Sequence, residues 1–437
     1  MIRFTKCLLV VAVGLLVGLG SQGRVVGEDG AAWERRLRAL VVAACANEPE
    51  DYAALLRLFP GSRLLEARIL PFRSQPGASV HTLLLADGDE LRLRRRFPGG
   101  RLRRVTVEFH ATMVGGQVRP VVSVAADGNC KISEVRRIAY DDDGLADRLT
   151  ILGSDFATVI STELLNPPIP TGQDLGGVAV ALIDTGVNYL LAPVAARLAR
   201  DSKGAALGYD YWDMDARPYD IDTSRSPFTP LRHGTTVASI ILREAPGARI
   251  IPYRYPRPNL ARMGELIAAA AELGVVIVNI AMGSNKRTEW QAFEAAARLR
   301  PEMLFVISAG NNGRDIDAMP VYPASLLLDN SLVVTSADEF GRLARGSNWG
   351  VRAVNVMVPG ERVPVIDHRG VAGKASGSSF AAPRVAAMAA RLLAKYPAWR
   401  APELKAAILA RGRPSPRQGA AVVSAGWIPD PTDDFEH

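Results

Sequence analysis

Two kinds of hydrophobic spacing divide the chain. Ala32 to Ala46 and Glu48 to Phe59 carry apolar residues at helical intervals, and Pro60-Gly61 stops the second run. Short alternating runs follow: His81 to Leu85, Glu90 to Arg96, Arg103 to His110, Val118 to Ala125, Ile132 to Tyr140 and Leu149 to Leu152. Between them, Ala86-Asp87-Gly88-Asp89 and Ala126-Asp127-Gly128-Asn129 have the composition of hairpin turns. This pattern predicts a small α+β domain with an antiparallel sheet over 24–156. Asn166-Pro167-Pro168-Ile169-Pro170 then reads as the stiffest part of an extended Pro-rich linker over 157–177.

Beyond the linker the spacing changes. Continuous apolar runs of strand length (Val178 to Ile183, Arg249 to Tyr253, Val275 to Ala281, Leu304 to Ile307, Leu332 to Ser336) alternate with helical stretches (Tyr189 to Arg200, Ala261 to Leu273, Thr288 to Leu299). Strands that are apolar on both sides need cover on both faces, so 178–412 is predicted to be an α/β domain with a mostly parallel sheet between helices. Residues 413–437 form a Pro-rich acidic tail to which no role is given. At the other end, Arg3 and Lys6 precede an apolar run from Cys7 to Leu19 and the small residues Gly18, Gly20 and Ser21. Residues 1–23 therefore read as a signal peptide, too short and Gly-broken for a stable membrane span. The expected location is secreted or periplasmic.

Composition narrows the classes. A chain of 437 residues, 48% hydrophobic, can bury a large core and a second domain. Its net charge of +7 comes mainly from arginine, in clusters such as Arg92-Leu93-Arg94-Arg95-Arg96. Their alternation with apolar residues fits the solvated face of strands, and no aromatic-interleaved basic platform suggests nucleic acid as a partner. Beyond the signal segment only Cys45 and Cys130 remain, and in an oxidising compartment one disulfide between them is open to formation. No Cys/His spacing suits a metal, and Asp141-Asp142-Asp143-Gly144 lacks a full calcium ligand series, so it reads as a solvated turn.

Candidate chemistry lies in four stretches. Small residues Gly377-Ser378-Ser379 lead into an Ala-rich helix from Phe380 to Lys395, with Pro383 expected in its first turn. A serine there lies beside unpaired backbone N–H groups and the positive end of the helix dipole, which favour an oxyanion. Asp184 ends the apolar strand that begins at Val178, and His233 precedes a second helix through Leu242. Ser308-Ala309-Gly310-Asn311-Asn312-Gly313 follows a further strand and can aim an amide at the site. Each alone reads as a cap, a surface residue or a turn. Together they supply an acid to orient, an imidazole to take a proton and a hydroxyl to attack.

These stretches resemble the Asp, His, oxyanion-Asn and Ser motifs of the subtilase (subtilisin-like) serine protease family, over about Gly177 to Arg411. Tyr209-Asp210-Tyr211-Trp212 with Pro218 and Asp220 resembles the family's approach to its histidine. Gly346-Ser347-Asn348-Trp349-Gly350 and Val358-Pro359-Gly360 resemble its approach to the serine. The resemblance implies a subtilisin-like fold and hydrolysis of protein or peptide substrates through an acyl-enzyme. It implies the triad Asp184, His233 and Ser379, an oxyanion hole at Asn311, and substrate-binding segments Ala281, Met282, Gly283, Ser284 and Ser308, Ala309, Gly310. Val321 is expected at the base of the pocket for the residue preceding the scissile bond (P1), which suggests small apolar residues there.

The resemblance requires no cofactor. The chain between Ser239 and Pro246 is too short for the loop with which many members hold calcium, which leaves structural calcium open. Tyr253-Arg254-Tyr255-Pro256-Arg257-Pro258 replaces the Gly-rich edge that in the family pairs with substrate backbone, and proline removes backbone donors there. The N-terminal domain is expected as an intramolecular partner, either a removable propeptide or a permanent accessory domain. The competing reading is a pseudo-protease or binding module that this domain holds shut. A lipase-type hydrolase is disfavoured, because its nucleophile elbow needs glycine where Ala381 stands.

Overall fold

A computed structural model describes residues 30–46, 52–72, 75–113, 115–415 and 421–433. The signal segment expected over 1–23 lies outside them. The chain divides into two compact units, Met1–Glu163 and Leu164–His437.

In the first unit, helices α1 (Gly30–Ala46) and α2 (Ala53–Leu58) precede eight strands. These are β1 (Arg63–Phe72), β2 (Gln75–Leu84), β3 (Glu90–Arg96), β4 (Arg104–Thr112), β5 (Val118–Asp127), β6 (Ile132–Tyr140), β7 (Ala146–Leu152) and β8 (Val159–Leu164). The strands lie side by side in chain order, antiparallel from β1 to β7. Period-two alternation sends Leu91 and Leu93 of β3 and Val105, Val107 and Phe109 of β4 to one face, where they pack with Leu37, Leu40, Val41 and Leu55 of the helices. Arg92, Arg94 and Arg96 take the solvated side as expected, but Arg95 falls on the inward side and is fully buried. Burial, reinforced by the Arg95 charge, lowers the pKa of the nearby His81 below its ordinary value. Cys45 and Cys130 form a disulfide that ties α1 to the β5–β6 turn.

Two strands escaped the hydrophobic pattern. β1 carries a proline and several exposed apolar residues, and β8 is almost wholly exposed, so neither shows the alternation of a half-buried strand. The predicted linker over 157–177 is corrected accordingly: Val159–Leu164 belongs to the first sheet, and the rest is laid against the second unit. Leu165 is buried there, Tyr189 donates its hydroxyl hydrogen to the Pro167 carbonyl (2.6 Å), and Arg200 donates to the Pro170 carbonyl (3.0 Å). Pro-rich backbone has few donors of its own, so its carbonyls are met by side chains.

The second unit is built on a parallel sheet ordered β10-β11-β9-β12-β13-β14-β15-β18. Its strands are β9 (Ala179–Asp184), β10 (Tyr209–Asp210), β11 (Arg249–Arg254), β12 (Ile277–Ile280), β13 (Leu304–Ser308), β14 (Ser331–Ala337), β15 (Val356–Pro359) and β18 (Gly426–Trp427). Alternate residues of each strand face opposite layers. Val180, Leu182, Leu304 and Val306 pack against α4 (Gly234–Glu244), α7 (Ser378–Lys395) and α8 (Ala401–Leu409). Ala181, Ile183, Phe305 and Ile307 pack against α5 (Met263–Glu272) and α6 (Gln291–Arg298). A hairpin of β16 (Val363–Ile366) and β17 (Ala372–Ala375) precedes α7.

Three expectations change. The helix expected over Tyr189 to Arg200 is only α3 (Ala192–Ala195), because Leu198 and Arg200 bridge to neighbouring backbone. The tail expected from residue 413 contributes β18 to the large sheet and buries Ile428 in its core. Helix α7 begins at Ser378, so Pro383 stands in its second turn rather than its first. Its missing N–H removes the donor that the fourth residue after Ser379 would otherwise offer the Ser379 carbonyl.

Candidate active site

The carboxyl ends of the parallel strands share one edge of the sheet, and β9 lies between β11 and β12, where the order of connection reverses. Crevices in open α/β sheets form at such points. Asp184 ends β9, and its carboxylate is almost wholly buried. Its Oδ1 accepts the Thr185 N–H at 2.8 Å, and its two oxygens lie 2.8 and 3.0 Å from Nδ1 of His233. The hydrogen bond to the carboxylate places a proton on Nδ1 and leaves Nε2 as the acceptor.

His233 stands immediately before α4. The helix can approach the strand end because residue 234 is glycine: a Cβ there would come within 2.0 Å of the Gly186 carbonyl oxygen. The first backbone N–H groups of α4 are met from outside the helix. Thr185 Oγ1 accepts from Gly234 N–H at 2.8 Å, and the buried Asp220 carboxylate accepts from His233 N–H and Thr235 N–H, each at 3.0 Å. Thr185 in turn donates its hydroxyl hydrogen to Asp220 at 2.5 Å. Burial by itself would lower the pKa of His233. The Asp184 carboxylate, by charge and hydrogen bond, outweighs that with help from Asp220 and Asp222, so the imidazole titrates above its ordinary value.

Ser379 is the second residue of α7, partly exposed at its N-terminal end. Its hydroxyl donates to the Ala281 carbonyl at 3.4 Å. Among the described residues Ser379 has no hydrogen bond to His233; the neighbouring Phe380 ring lies 5.6 Å from the imidazole, centroid to centroid. The structure thus brings Asp184 and His233 into direct contact and sets Phe380, the residue after Ser379, against the imidazole, while the Ser379 hydroxyl is turned to the β12 exit.

Asn311 lies on the loop after β13. Its Oδ1 accepts from Ser378 N–H at 2.9 Å and from the Ser378 hydroxyl at 3.1 Å, while Ser378 Oγ accepts the Gly310 N–H at 3.0 Å. With Oδ1 so occupied, the Nδ2 group of this exposed side chain is left as the donor. Gly377, at φ +132°, passes close enough that a Cβ would meet the Asn311 carboxamide at 3.1 Å. Buried Asn348 shapes the same loop, accepting from Asn312 N–H and donating to the Ala309 carbonyl. Sequence reasoning assigned nothing to Ser378 or Asn348 individually, and only their polar side chains amid buried small residues hinted at a partner.

The substrate-binding candidates also converge. Ala281, Met282, Gly283 and Ser284 leave β12, Ser308, Ala309 and Gly310 leave β13, and Ser284 bridges Tyr322 by backbone hydrogen bonds of 2.8 Å in both directions. Val321 is buried, and its Cγ1 lies 3.4 Å from where a Gly283 Cβ would stand. Tyr255 N–H donates to the Asp184 carbonyl at 3.0 Å, so the proline-interrupted segment starts beside the acid. Among the described residues no group of His, Cys, Asp and Glu is arranged to hold a metal ion.

A parallel sheet between two helical layers, with a carboxylate–imidazole pair at the reversal of strand order, is a subtilisin-like fold. The chain belongs to the Subtilase family, which matches residues 176–421. Curated relatives include the thermophilic serine proteinase of Bacillus sp. (strain AK1), 30% identical over 230 residues, covering 49% of this chain and 52% of that protein. The cell wall-associated protease of Bacillus subtilis (strain 168) is 26% identical over 239 residues, covering 52% of this chain and 24% of its own length. The chain therefore spans about half the length, or less, of these curated relatives. Among solved structures, a protease from Pseudoalteromonas arctica PAMC 21717 is 22% identical, with a TM-score of 0.49, over 59% of this chain and 88% of that one. The first unit lies outside the family match.

Proposed function

We propose that the protein is an exported serine endopeptidase that hydrolyses peptide bonds through an acyl-enzyme. The observation that carries this reading is the buried Asp184 carboxylate on Nδ1 of His233, with the ring of Phe380, which follows Ser379 in α7, 5.6 Å from the imidazole, in a chain of the subtilase family. Rotation of the Ser379 side chain away from the Ala281 carbonyl turns the hydroxyl to Nε2. His233 then takes its proton as the oxygen attacks the scissile carbonyl, and returns it to the leaving amine. Asp184 keeps the imidazole in the required tautomer and stabilises the imidazolium. The Asn311 amide and the Ser379 N–H receive the oxyanion, and water attacking the ester completes the cycle.

Substrates are proteins or peptides bound between the exits of β12 and β13. With Val321 against Gly283, the pocket for P1 favours small apolar side chains. Export is supported by the signal-like segment at residues 1–23 and by the disulfide, which persists in oxidising compartments. No helix among the described residues is long and apolar enough to cross a membrane. The test is a fluorophosphonate probe: wild type labels, Ser379→Ala does not. An unlabelled wild type in an otherwise folded protein would favour the pseudo-protease reading.

A further inference from the structure

Asp220 is a buried carboxylate to which the acyl-transfer steps give no part, and it is 1% exposed. Among the described residues, each hydrogen bond to its side chain leads to the candidate site. Oδ1 accepts from the Thr185 hydroxyl at 2.5 Å and from His233 N–H at 3.0 Å, and Oδ2 accepts from Thr235 N–H at 3.0 Å. Thr185 follows Asp184, and its N–H holds Asp184 Oδ1 at 2.8 Å. One carboxylate therefore ties the end of β9, which carries the acid, to the start of α4, which carries the imidazole.

We propose that Asp220 is a positioning residue, clamping the acid-bearing strand end to the imidazole-bearing helix so that Asp184 and His233 keep their contact while Ser379 is activated; this rests on the protease reading. The chemistry requires a carboxylate. Both oxygens must accept, and three donors converge on them, so an amide there would turn an NH2 against an N–H or a hydroxyl hydrogen. A negative charge at the N-terminus of an 11-residue helix is also favoured by its dipole. Apolar strand residues alone could pack α4 on the sheet, but they would not fix its rotation about its own axis. The directional bonds from His233 N–H and Thr235 N–H to Asp220, and from Gly234 N–H to Thr185, do.

The charge has a second effect. The groups facing the imidazole are Asp184 from β9, Asp220 and Asp222 from the loop before α4, and the Phe380 ring from α7. Arg232 is the nearby cation, its guanidinium donating to the Asp220 backbone carbonyl. The base must be neutral, so activity is lost as pH falls through the His233 pKa. Removing the Asp220 charge lowers that pKa, and the acid limb of the profile moves to lower pH.

The test compares wild type, Asp220→Asn and Thr185→Val as full-length proteins, with a chromogenic peptide substrate across pH and thermal unfolding alongside. Asp220→Asn is expected to lower kcat about tenfold, the effect of weakening one charge-assisted hydrogen bond, with KM within about twofold of wild type. Its acid limb shifts down. Thr185→Val breaks the strand side of the clamp but keeps the charge, so kcat falls while the limb stays. If Asp220→Asn does not fold, Thr185→Val decides: wild-type kcat overturns the clamp. A folded Asp220→Asn that loses thermal stability yet keeps kcat and the acid limb shows only a helix cap, and also overturns it. A wild type that neither labels nor turns over removes the protease reading and this inference with it. A labelled, active wild type with unaffected variants removes this inference alone.

Discussion

Each unit contains a sheet of eight strands, yet the candidate site described above gathers at the second of these sheets. In the first unit the strands from β1 to β7 each turn back on the one before, so successive strand ends alternate between the two edges and many are consumed by tight turns. Leu85 and Asp89 close one such turn with a 2.8 Å hydrogen bond. In the large sheet of the second unit the strands run the same way, so Asp184, Ala281 and Ser308 all leave from one edge, and much of the connecting chain returns through helices. The first unit does not lack polar residues in its interior, as buried His81, Ser79 and Arg95 attest. It lacks a common edge. Parallel order collects side chains that are far apart in sequence, and a meander keeps neighbours together.

Four changes would sharpen or break that contrast. Ser379→Ala, at the shared edge, is expected to lower kcat by about 10⁶-fold, the scale measured for the subtilisin nucleophile, while leaving unfolding of either unit unchanged. Replacing Cys45 and Cys130 by serine opens a covalent loop with a sequence separation of 85 residues. The chain-entropy model gives a loss of about 4–5 kcal/mol, expected in the unfolding transition of the first unit, with Ser379 labelling intact. If labelling and the second transition fell together with the first, the units would not be independent. Asn311→Ala is expected to lower kcat by about 10²–10³-fold at nearly constant KM, the range known for the oxyanion asparagine of subtilisin. A rise in KM alone would instead make Asn311 a substrate contact. Smallest is Val321→Gly, which opens space opposite Gly283 and should raise kcat/KM for a large apolar P1 residue about tenfold relative to alanine, measured on a peptide library. An unchanged P1 profile would place the pocket floor elsewhere.

Much of the arrangement was legible in the chain because it is local. Val178 to Ile183 is apolar without interruption, and in this setting that means a strand covered on both faces and a carboxylate at its exposed end. Gly-Ser-Ser before an Ala-rich run marks a helix start, and Asn311 follows a strand closely enough to be assigned to its exit loop. What escaped depends on partners distant in sequence. β1 and β8 lack alternation because neither has a fully buried face, and Gly426–Trp427 reads as tail until β15 supplies a neighbour. The strap at Pro167 and Pro170 read as a stiff extended linker because the donors that hold it, Tyr189 and Arg200, come later in the chain.

By itself the sequence determined the class of both units and the order of most of their elements, and it marked Asp184, His233 and Ser379 as candidates, since hydrophobic period and turn residues act over a few neighbours. Only the tertiary structure decided that Asp220 bonds to both the strand end and the helix start, that Ser378 fixes the face of the Asn311 amide, and that the Ser379 hydroxyl lies against the Ala281 carbonyl. Those are contacts between segments separated by as many as 98 residues, as for Ser379 and Ala281. Hydrogen bonds are short and directional, and no periodicity along the chain specifies which distant donor will meet which acceptor once the sheet has closed.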